Sequence, residues 1–147
     1  MGIWKRQREP ENITAAQAVT KKDYLSLAAV FAERELFQQI HKEHSLGCAL
    51  RAAAVQYEQR DYVSAYELFK PVYNRVMADV QRTLARDPNL EAAKLAKQRR
   101  HTLAVSKEKV RRSRANAQQL KDRFERLFQD LLSKSPVQAH INKAECK

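Results

Sequence analysis

The chain has 147 residues, 28 Lys and Arg against 17 Asp and Glu, a formal net charge of +11, 4 Pro and 2 Gly. That length suits one ordinary domain, and the charge excess has to be solvated or matched by an anionic surface of nucleic acid, lipid or acidic protein. No apolar run approaches the roughly 20 residues that span a bilayer and no apolar segment follows Met1, which speaks against a transmembrane or secreted class and leaves peripheral membrane contact open.

The first residues, MGIWKR, lack the Ser or Thr of a myristoylation signal, and Glu9 and Glu11 do not suit a transit peptide. A retained, uncleaved import signal keeps the mitochondrial matrix among the candidates. Cys48 and Cys146 stand far apart with no motif around them, so free thiols in a reducing intracellular compartment are expected, cytoplasm or organelle matrix side.

Residues 1–12 read as an irregular charged arm, with Trp4 as an anchor onto a neighbour. Thr14 with Gln17 and Thr20 with Asp23 have capping-box spacing, so a helix is expected to start at one of them. Leu25, Ala28, Ala29, Ala32, Leu36, Phe37 and Ile40 give it an apolar stripe to about His41. Ser45 and Gly47 interrupt. A second helix follows, carrying Leu50, Ala53, Ala54 and Tyr57 and ending near Arg60. Asp61 caps a third, whose stripe of Ala65, Phe69, Val72, Tyr73, Val76, Val80 and Leu84 reaches about Arg86 with a bend at Pro71. Asp87-Pro88 signals the start of the last helix. This long basic amphipathic helix is expected within 88–134, from Asn89 to about Ser133, with Pro136 stopping it and 135–147 as a tail. Strong helix formers dominate, no apolar/polar alternation of period two occurs, and an all-α fold without sheet is predicted.

The string ALRAAAVQYEQRDYVSAYELF resembles a tetratricopeptide repeat: Ala53 at the helix crossing, Tyr57, the turn with Asp61 and Tyr62, then Ala65 and Phe69. The DPN at 87–89 with EAAK at 91–94 is similar to the end of the last repeat in large immunophilin co-chaperones, and KKDYLS at 21–26 echoes QRDYVS at 59–64. The resemblance covers about a third of the chain. It implies antiparallel helical hairpins across 13–87 that bind protein, and an adaptor or co-chaperone gripping peptide tails is one function it suggests. In that family a lysine and an arginine clamp a partner's C-terminal carboxylate; Arg51 matches the arginine, whereas Gly47 replaces the lysine. About eleven extra residues lie between Ala65 and Pro88, and Arg60 stands where glycine is common.

Leu103, Val110, Ala117, Phe124 and Leu131 recur every seven residues, and Leu120 and Leu127 fall between them, which makes a coiled-coil seam for a partner helix or for the chain's own hairpin. Ser106 and Ser113 weaken its first half. Between Lys94 and Arg126 stand twelve Lys and Arg against three acids. Arg99, Arg100, Lys107, Lys109, Arg111, Arg112 and Arg114 are the candidate contacts to an anionic partner, either acidic protein or the RNA backbone. No zinc-finger spacing and no interleaved aromatics point to base readout.

His41, His44 and Cys48 are spaced three and four apart, but a fourth zinc ligand is missing and Gly47 interrupts the helix, so no metal or other cofactor is expected. Without a phosphate-binding glycine loop, a nucleophile elbow or a close carboxylate pair, no catalytic residue and no small-molecule substrate are expected either. The leading expectation is a non-catalytic scaffold, an accessory subunit of a large multi-protein or ribonucleoprotein assembly; an RNA-binding factor is the second.

Overall fold

A computed structural model describes residues 18–37 and 45–145, the side chains of 33–37 excepted. Among these residues there are six helices and no strand: α1 (Lys21–Phe37), α2 (Leu46–Glu58), α3 (Tyr62–Ala85), α4 (Pro88–Arg99), α5 (Leu103–Leu132) and α6 (Ser135–Glu145).

Local chemistry sets most of the boundaries. At α1, Thr20 Oγ1 accepts from the Lys22 amide at 3.3 Å while Asp23 accepts from the Thr20 amide at 2.8 Å, a reciprocal capping box. Ser45 Oγ accepts from the Cys48 amide at 3.1 Å and opens α2. Asp61 accepts from the Ser64 amide and hydroxyl at 3.2 and 2.8 Å to open α3. Asp87 accepts from the Asn89 and Leu90 amides at 2.9 and 3.4 Å, with Pro88 in the first turn of α4. Thr14, Gln17, Trp4 and the 1–12 arm lie outside the described residues.

The end of α2 is a Schellman turn. Arg60 adopts φ 63°, the Arg60 amide donates to the Tyr57 carbonyl at 3.0 Å, and the Asp61 amide donates to that of Gln56 at 2.9 Å. A left-handed residue is normally glycine or asparagine, and here the position carries arginine.

Three expectations are corrected. On α1 the buried face is Tyr24, Leu27, Ala28 and Phe31, whereas Leu25, Ala29 and Ala32 of the expected stripe are exposed. The single helix foreseen from 89 to 133 is interrupted: Arg100 is left-handed (φ 56°, ψ 30°), and after it Thr102 starts α5 by accepting from the Val105 amide at 3.2 Å. A C-terminal stop and a new N-cap therefore sit two residues apart. The segment expected as a C-terminal tail also carries a helix, Ser135–Glu145. Pro136 lies in its first turn, where its missing N–H costs nothing, so it starts a helix after the break it was expected to cause. Pro71 lies within α3, which continues through it.

The chain divides into two compact units, one of residues 1–69 with 129–147 and one of 70–128. This division differs from the expected boundaries at 87 and 134. In the first unit, α1 and α2 pack together, and Tyr24, Leu27, Ala28, Phe31, Leu50, Ala53, Ala54, Tyr57, Ala65, Phe69, Leu131 and Val137 are buried. Tyr24 centres the aromatic cluster, 5.0 Å from the Tyr57 ring and 5.6 Å from Phe69. In the second unit Val72, Val76 and Val80 on α3, Ala92 on α4, and Ser106, Phe124 and Leu127 on α5 are buried. Tyr73 stacks on Phe128 with centroids 4.1 Å apart.

Candidate anionic-partner surface

The second unit holds almost all of the excess charge. Residues 70–128 carry 16 Lys and Arg against 6 Asp and Glu, a net +10 of the chain's +11. Within it, residues 94–114 carry nine Lys and Arg against the single acid Glu108. They occupy the last half of α4, the connection 100–102 and the first turns of α5.

The seven basic candidates do not share one role. Arg99, Arg100, Lys107 and Lys109 are exposed and make no ion pair among the described residues. Arg111 and Arg112 are exposed and converge on Glu108: Arg111 Nε donates to its carboxylate at 2.8 Å and Nη2 at 2.5 Å, while Arg112 Nε lies at 3.4 Å. The hydrogen bonds from Arg111 are the main reason that the Glu108 carboxyl is held down at about 2. Glu108 thus stays charged and fixes the guanidinium orientation. Arg114 belongs to the fold instead. Its Nη1 donates to the Thr83, Leu84 and Arg86 carbonyls at 3.4, 3.1 and 3.1 Å, closing the C-terminal end of α3. A cation at that end also meets the negative pole of the helix dipole. Spacing along α5 alone gave no sign of this, because the partners lie about thirty residues upstream.

The seven seam positions divide as well. Phe124, Leu127 and Leu131 are buried within the chain itself, Val110, Ala117 and Leu120 are half-buried, and Leu103 is 49% exposed. Ser106, between Leu103 and Val110, is buried, and its hydroxyl has no partner among the described residues.

In the first unit, Ala53, Tyr57, Ala65 and Phe69 are buried and Tyr62 is half-buried, 5.3 Å from the Tyr57 ring. Tyr57 also donates its hydroxyl to Asp130 at 2.5 Å and lies 3.3 Å from the Val19 carbonyl. Burial and then the hydrogen bond to Asp130 push this phenol well above the ordinary tyrosine range. Lys134 sits 3.7 Å from Asp130 and over both rings, 5.7 Å from Tyr57 and 4.9 Å from Tyr62. Sequence spacing missed Asp130 and Lys134, which come to these tyrosines from the far end of the chain. The echo between 21–26 and 59–64 is not a structural equivalence: Asp61 precedes its helix, whereas Asp23 lies inside α1.

Arg51 is exposed and its Nη2 lies 3.5 Å from Cys48 Sγ. Cys48 is half-buried. His41, His44 and Cys146 lie outside the described residues, and among those described no group of His, Cys, Asp and Glu is placed to hold a metal. No described helix is long and apolar enough to cross a membrane. In comparisons with known proteins, no family model, no curated protein and no solved structure matches the chain. What the fold defines is therefore an all-helical protein of packed helix pairs.

Proposed function

We propose that the chain is a non-catalytic accessory subunit of a larger assembly, which packs through helices and docks on an anionic neighbour with the basic surface of α4 and α5. One observation carries this reading: a net +10 is gathered in residues 70–128, leaving +1 for the other 88 residues. Like charges crowded on adjacent turns repel one another, so an anionic neighbour relieves that repulsion. The tetratricopeptide-like hairpin stays part of this reading as a protein-binding element in the first unit.

Affinity purification of the tagged chain at low and high salt, with the recovered partners identified by mass, tests the proposal. A defined set of partners that dissociates as salt rises is expected. A chain recovered alone at every salt concentration overturns it.

A further inference from the structure

Resting on that reading, we propose that the anionic neighbour is the phosphodiester backbone of a nucleic-acid duplex, and that it is gripped by Lys94, Lys97, Arg99, Lys107, Arg111 and Arg112. All six side chains are exposed. On α5, Lys107 and Arg111 are one turn apart, about 6 Å along the axis, so successive turns present successive cations on a rigid rod.

Glu108 prepares the two arginines and does not quench them. A guanidinium has five N–H donors. The carboxylate takes the Nε and Nη2 edge of Arg111 and leaves the Nη1 side for a second anion. The side chains of Arg111 and Arg112 keep 67% and 71% of their exposure even while paired. Both therefore remain open to phosphate oxygens, which arginine binds with strong charge-assisted hydrogen bonds.

Three further observations select this partner. Residues 94–114 contain no Phe, Trp or Tyr, so the surface lacks the stacking platforms on which single-stranded bases are held and suits a backbone. A membrane-surface helix needs an exposed apolar face beside its basic one. On α5 the apolar residues Phe124, Leu127 and Leu131 are buried, and the exposed Leu103 and Val105 are two residues apart, hence about 200° apart around the helix; on α4 Leu90 is the one exposed large apolar residue, so neither helix presents an exposed apolar stripe. An acidic protein interface is depleted in lysine and centred on buried aromatic or apolar anchors. This surface is half lysine and offers no aromatic.

The test is binding of the full-length chain to a fluorescent 20-base-pair RNA duplex, with DNA duplex of the same length, single-stranded RNA, phosphatidylserine vesicles and polyglutamate as parallel arms, each titrated with salt. With about six phosphates contacted, the slope of log K against log salt on duplex is about −5. The RNA and DNA arms tell which duplex is preferred. Lys107→Gln with Arg111→Gln and Arg112→Gln makes the slope shallower by about 2 to 3 and weakens binding on the order of 100-fold at 0.1 M salt. Should that triple variant lose helix, Lys94→Gln with Lys97→Gln and Arg99→Gln tests the α4 part of the proposed grip. Lys22→Gln with Lys143→Gln, in the first unit, leaves affinity nearly unchanged. Binding to polyglutamate or vesicles but to neither duplex overturns the nucleic-acid partner while the anionic-docking reading stands. Duplex binding unchanged in both triple variants overturns the surface assigned here. Failure to bind any polyanion, with partners still recovered at high salt, overturns both.

Discussion

The two units are both helical, yet they hold themselves together differently. The first contains eight of the chain's eleven aromatic residues and twelve Lys and Arg against eleven Asp and Glu. Its described core is a tyrosine and phenylalanine cluster tied by the polar contacts of Tyr57, Asp130 and Lys134. The second has three aromatics, a valine stripe on α3 and an arginine that caps backbone carbonyls. Charge that is nearly balanced in the first unit is one-sided in the second. Both units thus have buried cores, but the described core of the first is aromatic and tied by polar contacts, whereas the second carries the one-sided charge on which the proposed docking rests.

The largest effects separate core from surface. Phe69→Ala in the first unit and Phe124→Ala in the second, both fully buried, are each expected to cost about 3 to 5 kcal/mol in urea denaturation. A loss below about 1 kcal/mol at either site means that its unit is not packed as described.

Next comes the polar anchor of the first unit. Tyr57→Phe removes a hydroxyl that donates to a carboxylate, and about 1.5 to 3 kcal/mol is expected to go with it. The same contact has a pH signature. Burial first, and then the Asp130 hydrogen bond, raise the Tyr57 phenol, and burial raises that of Tyr24, so above about pH 10 the folded chain holds protons that the unfolded chain releases. The stability they contribute is complete below that pH and falls as pH rises through the unfolded value. Melting temperatures from pH 8 to 11 should therefore decline, and less steeply in Tyr57→Phe. An equal decline in both chains removes Tyr57 from the explanation.

Among the basic residues, Arg114 and its neighbours on α5 are predicted to part ways. Arg114→Gln strips three carbonyls of a charged donor at the end of α3 and should cost about 1 to 2 kcal/mol. Arg111→Gln with Arg112→Gln should leave the melting temperature unmoved, because exposed ion pairs contribute little. The reverse order would make Arg114 part of the binding surface and the Glu108 cluster part of the fold.

What was legible in the sequence follows range. The caps at Thr20, Asp61 and Asp87 were readable because donor and acceptor lie within three residues of each other. So were the stripes on α2 and α3, since helical period shows directly in apolar spacing. The seam on α5 was visible as a period but not as a destination, and only the structure buries Phe124, Leu127 and Leu131 in the chain's own fold. Asp130 beneath Tyr57 and Arg114 on α3 were invisible, 73 and about 30 residues from their partners. Within the candidate site, the pairing of Glu108 with Arg111 and Arg112 follows helix spacing and was within reach.

The smallest predicted gain in stability concerns two helix ends, one expected near Arg60 and one, at Arg100, that falls inside the helix expected from 89 to 133. Both α2 and α4 are followed by a left-handed arginine, Arg60 at φ 63° and Arg100 at φ 56°. For a residue with a Cβ that conformation costs about 1 to 2 kcal/mol, which glycine avoids. Glycine gives part of the gain back by loosening the unfolded chain. Arg60→Gly should therefore stabilise the chain by about 0.5 to 1 kcal/mol, with the Schellman bonds of the Arg60 and Asp61 amides unchanged. The gain comes without loss of duplex binding, since Arg60 lies in the first unit. Arg100→Gly should bring a similar gain in stability but remove a cation from the α4–α5 connection, and so lower affinity for duplex at low salt. If Arg60→Gly weakens binding as much as Arg100→Gly does, the division of labour between the two units fails. If neither change raises the denaturation midpoint, the backbone at these two helix ends is not left-handed in solution.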